Sequence, residues 1–202
     1  GIIPGGSGNG LARELRIPFD SARAIERAIH GEARRVDAGE LGGRLFFNVA
    51  GVGLDARVAA SVSARVDRRG LIPYLEASGR ELLRCKPVDY TIATGGRIFP
   101  LSALIVALAN SRQYGFRAQI APAALLEDGL LDLVIVEDRK LAGNLVRIPS
   151  LFLSSFDRAA GVKTSRVREL TIRSRDPMLF HVDGEPVQGS DSLIARVHPG
   201  AL

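Results

Sequence analysis

The sequence predicts an α+β chain, mainly β, and three observations carry that prediction. Short β-type runs bounded by turn residues occupy most of the chain after Val36. A strand, loop, helix, turn, helix pattern precedes them from Gly1 to about Arg35, the texture of an α/β unit. Two helical insertions interrupt the β region, at Asp55 to about Cys85 and Leu141 to about Phe156. The division therefore falls between residues 1–35 and 36–202, and an antiparallel sandwich or barrel fits the longer part.

The elements follow in chain order. Asn9 is placed to N-cap a helix with Leu11, Ala12 and Leu15 on one face, and Asp20 or Ser21 to cap a second helix carrying Ala22, Ile25 and Ile29. Strands are predicted over Leu45–Val49, Val88–Thr94, Arg97–Asn110, Leu130–Glu137, Val167–Arg173, Met178–Val182 and Ser192–Val197. Between the second and third of these, Gly95-Gly96 can take the positive φ angles of a tight hairpin turn. The first helical insertion is broken near Gly70 and Pro73. In the second, Leu141, Leu145, Ile148 and Phe152 stand at helical spacing, and Pro149 kinks or ends the helix.

Composition narrows the function classes. At 202 residues and 46% hydrophobic, the chain can bury one full domain and part of another. Its longest apolar stretch, Leu101 to Ala109, is about half of what a bilayer crossing needs. The opening Gly-Ile-Ile-Pro resembles the end of a strand more than a natural terminus, which favours a fragment. Cys85 is the only cysteine, so no internal disulfide forms, and a reducing compartment is favoured over a secretory one. His30, His181 and His198 are dispersed, without zinc-ligand spacing. The net charge of +5 suits an anionic partner. With aromatics at only 5% and none interleaved in a basic stretch, nucleic acid is not the expected one.

Five segments carry candidate chemistry, each beside a plainer explanation. In Pro4-Gly-Gly-Ser-Gly-Asn-Gly10, the residues Gly6, Ser7, Gly8 and Asn9 form a loop whose backbone amides can approach a phosphate at a helix start; a structural turn fits equally. Phe47-Asn48-Val-Ala-Gly51-Val-Gly53-Leu-Asp55 is a strand running into small residues, where close packing competes with Asn48 and Asp55 lining a cleft. In Ile120-Ala-Pro-Ala-Ala-Leu-Leu-Glu-Asp128-Gly-Leu-Leu-Asp132, Asp128 with the carbonyls of Leu125 and Leu130 can offer oxygens to Mg²⁺, the alternative being an Asp-Gly turn with solvated acids. Phe180-His-Val-Asp183-Gly-Glu185 is first a hairpin turn, and second a frame that presents Glu185 as a general base. Arg57, Arg65, Arg68 and Arg69, followed by Leu71-Ile72-Pro73-Tyr74, form either a solvated basic face or one that meets an anionic bilayer.

Four of these motifs in this order resemble the diacylglycerol kinase catalytic-domain family, which includes bacterial lipid kinases and sphingosine kinases, over nearly the whole chain from Pro4 to about Pro199. The resemblance implies an antiparallel β-sandwich C-terminal domain at 36–202, preceded by the last part of an α/β nucleotide-binding domain at 1–35. It implies ATP and Mg²⁺ as cofactors, a lipid hydroxyl as acceptor, and a cytoplasmic protein held peripherally at the inner membrane surface. Glu185 falls at the family's proton acceptor with Asp183 beside it, Asp128 with Leu125 and Leu130 at its Mg²⁺ site, and Gly6, Ser7, Gly8 and Asn9 near the nucleotide. The family's main nucleotide motif, Gly-Gly-Asp-Gly-Thr, occurs nowhere in this chain, so the chain alone is expected to be inactive. Ser7 stands where the commoner loop has Thr and Gly10 where it has Asp, and Gln113-Tyr-Gly-Phe-Arg117 keeps only Gly115 of several family glycines. A non-catalytic lipid- or partner-binding β-domain is the competing expectation, and a nicotinamide-nucleotide kinase relative a third.

Overall fold

The computed structural model describes residues 1–6, 8–64 and 70–202. Loop residue Ser7 and the basic residues Arg65, Arg68 and Arg69 lie outside the described residues. Helices α1 (Gly10–Glu14) and α2 (Ser21–His30) lead into strands β1 (Ala38–Leu41), β2 (Arg44–Phe46) and β3 (Val49–Gly53). Helices α3 (Leu54–Ser63) and α4 (Leu71–Arg84) follow, then β4 (Val88–Thr94), β5 (Arg97–Ala103), β6 (Ile105–Ala109), β7 (Gln113–Gly115), β8 (Ala118–Gln119) and β9 (Leu131–Val136). Helix α5 (Lys140–Val146) and 3₁₀ turns at Ile148–Leu151 and Phe156–Arg158 precede β10 (Val162–Val167), β11 (Glu169–Ser174), β12 (Leu179–Val182), β13 (Glu185–Gln188) and β14 (Ser192–His198).

Among the described residues the strands form two six-stranded sheets, in the orders β2-β1-β14-β11-β4-β5 and β10-β9-β6-β3-β12-β13, with β7-β8 as a separate small hairpin. All pairs are antiparallel. The sheets lie face to face over one buried core that joins Leu41, Phe46 and Ile172 of the first to Leu108, Leu133 and Phe180 of the second. The choice left open between barrel and sandwich is thus decided for the sandwich.

The outer faces of the two sheets differ. Strands β11 and β14 alternate between buried and exposed residues, the pattern of a sheet with one face in water. Strand β9 is buried at every position. Leu131, Leu133 and Ile135 point into the inter-sheet core, while Val134 and Val136 join Val49, Ala107, Ile120 and Phe156 in a second cluster on the far side. Helix α3 covers the same sheet along β3, β12 and β13. The functional residues described below lie beneath and beside that cover.

Three predicted strands prove to be two each, because the chain crosses between sheets partway. Arg97–Asn110 divides at Leu104, whose amide donates to the Val136 carbonyl at 2.8 Å while its carbonyl accepts from the Leu54 amide at 2.8 Å. Leu45–Val49 divides after Phe46, and Val167–Arg173 at Arg168. A two-residue periodicity marks extended backbone but does not name the sheet it joins. Strand β1 carried too short a pattern to be predicted. The glycine hairpin occurs as expected, with φ 55° at Gly95 and 73° at Gly96.

The helices also depart from expectation in detail. Asn9 precedes α1 but does not cap it with its side chain: at φ 47° its carboxamide turns back into the loop. Asp20 does cap α2, accepting from the Arg23 amide at 3.0 Å. Pro73 sits in the first turn of α4, where no intrahelical N–H is lost. The second insertion is shorter than predicted, α5 ending at Val146 and Pro149 falling in a 3₁₀ turn.

Asp37 anchors the two ends of the sandwich and is only 2% exposed. Its carboxylate accepts from the Gly129 amide at 2.7 Å and the Gly200 amide at 2.8 Å, and its own amide donates to the Leu126 carbonyl at 2.7 Å. Hydrogen bonds to a charged group contribute about 1.5–3 kcal/mol each, so Asp37→Ala is expected to lower unfolding stability by about 3 kcal/mol or more, measured by urea denaturation.

Candidate functional site

The candidate site is built around the turn that joins β12 to β13. Asp183 and Gly184 adopt φ 49° and 89°, the left-handed pair that a two-residue hairpin requires. The Asp183 carboxylate is directed at the β2–β3 crossing. It accepts from the amides of Phe47 at 2.8 Å, Asn48 at 2.8 Å and Val49 at 3.1 Å, and the Asp183 amide donates to the Val49 carbonyl at 2.9 Å. Lost hydration lifts the Asp183 pKa above the ordinary carboxylate value, and the three amides oppose that rise. Glu185 opens β13 and is exposed; among the described residues its carboxylate has no hydrogen-bond or ion-pair partner.

Behind this turn lies a buried polar group on the covered face of the second sheet. Phe180 and Val182 point into the inter-sheet core, so alternation turns His181 outward, where it is 3% exposed. Its strand partner on β3 is Gly51, and a β-carbon at Gly51 would collide with Oδ2 of Asp55. The Asp55 carboxylate occupies that space, with Oδ2 accepting from the Tyr114 hydroxyl at 3.0 Å and lying 3.2 Å from Nε2 of His181. Oδ1 accepts from the Ala56 amide at 2.8 Å. All three tyrosines of the chain sense this acid. Burial, then the Asp55 charge, pushes the Tyr74 pKa up to about 12, and the same causes raise Tyr90 and Tyr114.

The glycine-rich loop meets the turn through Asn48. The Asn9 side chain accepts from the Gly6 amide at 2.9 Å and donates to the Gly6 carbonyl at 2.6 Å, so the Gly6 amide is already engaged. Gly10 lies against the Asn48 carboxamide, and Gly8 against Gly115 of the β7–β8 hairpin. The Asn48 side chain accepts from the Ser111 hydroxyl at 2.9 Å. Gly8, Gly10, Asn48, Asp183 and Glu185 therefore belong to one connected neighbourhood, and three of the four motifs converge.

The fourth motif is linked to the β2–β3 crossing through Asp37: the Gly129 amide donates to its carboxylate, and the Asn110 carboxamide donates to the carbonyls of both Asp37 and Phe47. Oδ1 of Asp128 accepts from the Leu130 amide at 3.1 Å, whereas Oδ2 is buried with no hydrogen-bond partner. Arg166 approaches only loosely, at 3.8 Å from Asp128 and 3.9 Å from Asp132. Burial, partly countered by Arg166, raises the Asp132 pKa. An orphaned carboxylate oxygen beside a second acid fits a hard cation, with the carbonyls of Leu125 and Leu130 as further ligands. Among the described residues no cluster of three or more His, Cys, Asp or Glu side chains surrounds a metal position.

Residues 48–202 match the YegS C-terminal NAD kinase beta sandwich-like domain, and residues 1–41 match the diacylglycerol kinase catalytic domain. The chain belongs to the YegS and diacylglycerol kinase family. It is 29% identical over 188 residues to the diacylglycerol kinase of Staphylococcus saprophyticus, covering 92% of this chain and 61% of that one. Its identity to the "Probable lipid kinase YegS-like" of Pseudomonas fluorescens is 29% over 210 residues, covering 100% of this chain and 66% of that one. A solved diacylglycerol kinase structure from Bacillus anthracis str. Sterne shares the fold at TM-score 0.69 and 16% identity, over 98% of this chain and 63% of that one. The chain thus spans about two thirds of the length of these family members.

His181 and Tyr114 were not predicted as site residues of this family member. Their signals are faint: a single histidine inside an apolar strand opposite a glycine, and a tyrosine in a hairpin of little regular pattern. The tyrosines give a pH test. A tyrosine whose folded pKa is raised contributes stability below its ordinary pKa, near 10, and loses it as pH rises through the folded value. The urea midpoint is therefore expected to fall between about pH 10 and the value of about 12 for Tyr74, and Tyr74→Phe to make that fall shallower.

Proposed function

We propose that this chain is the C-terminal portion of an ATP-dependent lipid kinase, transferring the γ-phosphoryl group of ATP to a lipid hydroxyl such as that of diacylglycerol or a sphingoid base. The observation that carries this proposal is the convergence of the glycine-rich loop, Asn48 and the Asp183-Gly184-Glu185 turn, with Glu185 left exposed and unpartnered among the described residues. Glu185 accepts the proton of the lipid hydroxyl. Asp183, both of whose oxygens are taken by backbone amides, holds the turn instead of moving a proton. The loop of Gly6, Ser7, Gly8 and Asn9 lies toward the nucleotide, the division near residue 36 separating it from the sandwich. When bound, Mg²⁺ supplies charge balance at the loop of Leu125, Asp128 and Leu130, and its part there is to order that loop.

Among the described residues no helix is long and apolar enough to cross a membrane, and we propose peripheral association from the cytoplasmic side. Ile72 and Leu75 on α4 and Leu141, Leu145, Val146 and Leu153 around α5 are exposed, offering an apolar surface to a bilayer. Arg57 is already spent on Glu81, at 3.2 Å, as part of the α3–α4 contact.

Two experiments test the proposal. In the full-length gene product, assayed with ATP on a panel of lipids, Glu185→Ala is expected to lower turnover at least about 100-fold without changing the melting temperature. Near-normal turnover removes Glu185 from the role, and lipid binding without phosphorylation by the parent favours a non-catalytic binding domain. Titrating this chain with Mg²⁺ is expected to raise its melting temperature by a few degrees, with roughly 2.7 kcal/mol available at a hundredfold excess over Kd. An unchanged response in Asp128→Asn would place the ion elsewhere.

A further inference from the structure

We infer that His181 is a positioning residue for the Asp183-Gly184-Glu185 turn, and that it holds the turn only as the neutral imidazole protonated at Nε2. The effect on turnover rests on the proposed role of Glu185; the positioning itself does not. The Gly184 amide donates to Nδ1 of His181 at 3.3 Å, so that nitrogen carries a lone pair. The ring proton then sits on Nε2, which donates to Oδ2 of Asp55 at 3.2 Å. The ring is thereby a rigid spacer between the start of α3 and the turn.

Both partners are too buried to touch a substrate in this conformation, Asp55 being 7% exposed and His181 3%. Asp55 is itself fixed by the Tyr114 hydroxyl from β7 and the Ala56 amide of its own helix. Among the described residues, further ionisable groups around the pair are Asp183 on the turn, Tyr74 from α4, Cys85 just after α4 and Tyr90 from β4. A second proton, placed on Nδ1, would aim an N–H at the Gly184 N–H and abolish the bond. The Asp183 carboxylate grips the turn from the β2–β3 side, and His181 grips its next residue from the α3 side. Glu185 follows directly, so its placement depends on both.

The two functions of the ring can be separated. His181→Asn keeps an acceptor near the position of Nδ1 but cannot reach Asp55, whereas His181→Gln keeps a donor near Nε2 and loses the acceptor for Gly184. Nitrogen-15 spectra of histidine-labelled chain, with only three histidines to assign, are expected to show His181 protonated at Nε2 and bare at Nδ1 at neutral pH. Exchange protection of the Gly184 amide is expected to persist in His181→Asn and to be lost in His181→Gln. In the full-length gene product His181→Gln should lower kcat at least about tenfold with KM little changed, since misplacement of a reacting group by about 1 Å can cost about 100-fold. An imidazolium or an Nδ1–H tautomer at neutral pH, or equal Gly184 protection in the two variants, overturns the inference. If protection splits as expected while Glu185→Ala stays active, the positioning stands and the proposed role of Glu185 fails.

Discussion

One carboxylate accepting from three consecutive backbone amides determines where the rest of the site can lie. Between β2 and β3 the chain leaves one sheet for the other, and the amides of Phe47, Asn48 and Val49 turn toward the Asp183 side chain. A carboxylate is suited to that position because it has lone pairs for all three donors and its charge strengthens each bond. The return bond from the Asp183 amide to the Val49 carbonyl makes the contact reciprocal. A crossing between sheets, which is a weak point in any sandwich, is thereby locked to a hairpin 135 residues away in the chain. The glycine-rich loop inherits its position from the same lock, because Gly10 rests on Asn48.

The space for the buried polar group depends on what β3 omits. Strand β3 reads Val-Ala-Gly-Val-Gly, and its two glycines serve different neighbours. A β-carbon at Gly51 would displace the Asp55 carboxylate; at Gly53, where φ is 100°, it would strike the Leu104 carbonyl at a second sheet crossing. The small residues therefore admit one acid from α3 and one backbone corner into a layer that is otherwise apolar. Around the admitted acid the protein supplies two hydroxyl or ring donors and one amide, which offset the desolvation of its charge.

Much of this was legible in the sequence, but unevenly. The strands of the first sheet alternate, and Val88–Thr94 with its Gly95-Gly96 turn is found where the pattern puts it. Where the second sheet is covered on both faces, β6 reads as an unbroken apolar run and β9 as one interrupted at Asp132, and their ends are not marked. The crossings after Phe46, at Leu104 and at Arg168 are bends that no glycine or proline marks in the sequence. Asn9 showed the limit of capping rules: its residue type suits an N-cap, but its left-handed backbone sends the carboxamide to Gly6. Asp37 and His181 were illegible because each is defined by partners far away in sequence, the donors Gly129 and Gly200 for one, the acceptor Asp55 for the other.

The acidic residues of the molecule can be ordered by how many of their lone pairs are already in use, and that order separates scaffolding from chemistry. Asp37 and Asp183 receive amides at both oxygens and are held in one geometry, so proton transfer through either would first have to break structural bonds. Asp55 is likewise occupied at both oxygens, by Ala56 on one side and Tyr114 and His181 on the other. Asp128 is half occupied, its second oxygen buried without a partner, a state that is costly unless a cation completes it. Glu185 alone among these five stands in solvent with neither oxygen engaged by the described residues, on a turn held from two sides. A general base needs a free lone pair and a fixed origin together, and those demands conflict for a single carboxylate that must also secure its own backbone. In the proposed reaction the two demands are divided within five residues of sequence, between Asp183 and His181, which hold, and Glu185, which is held.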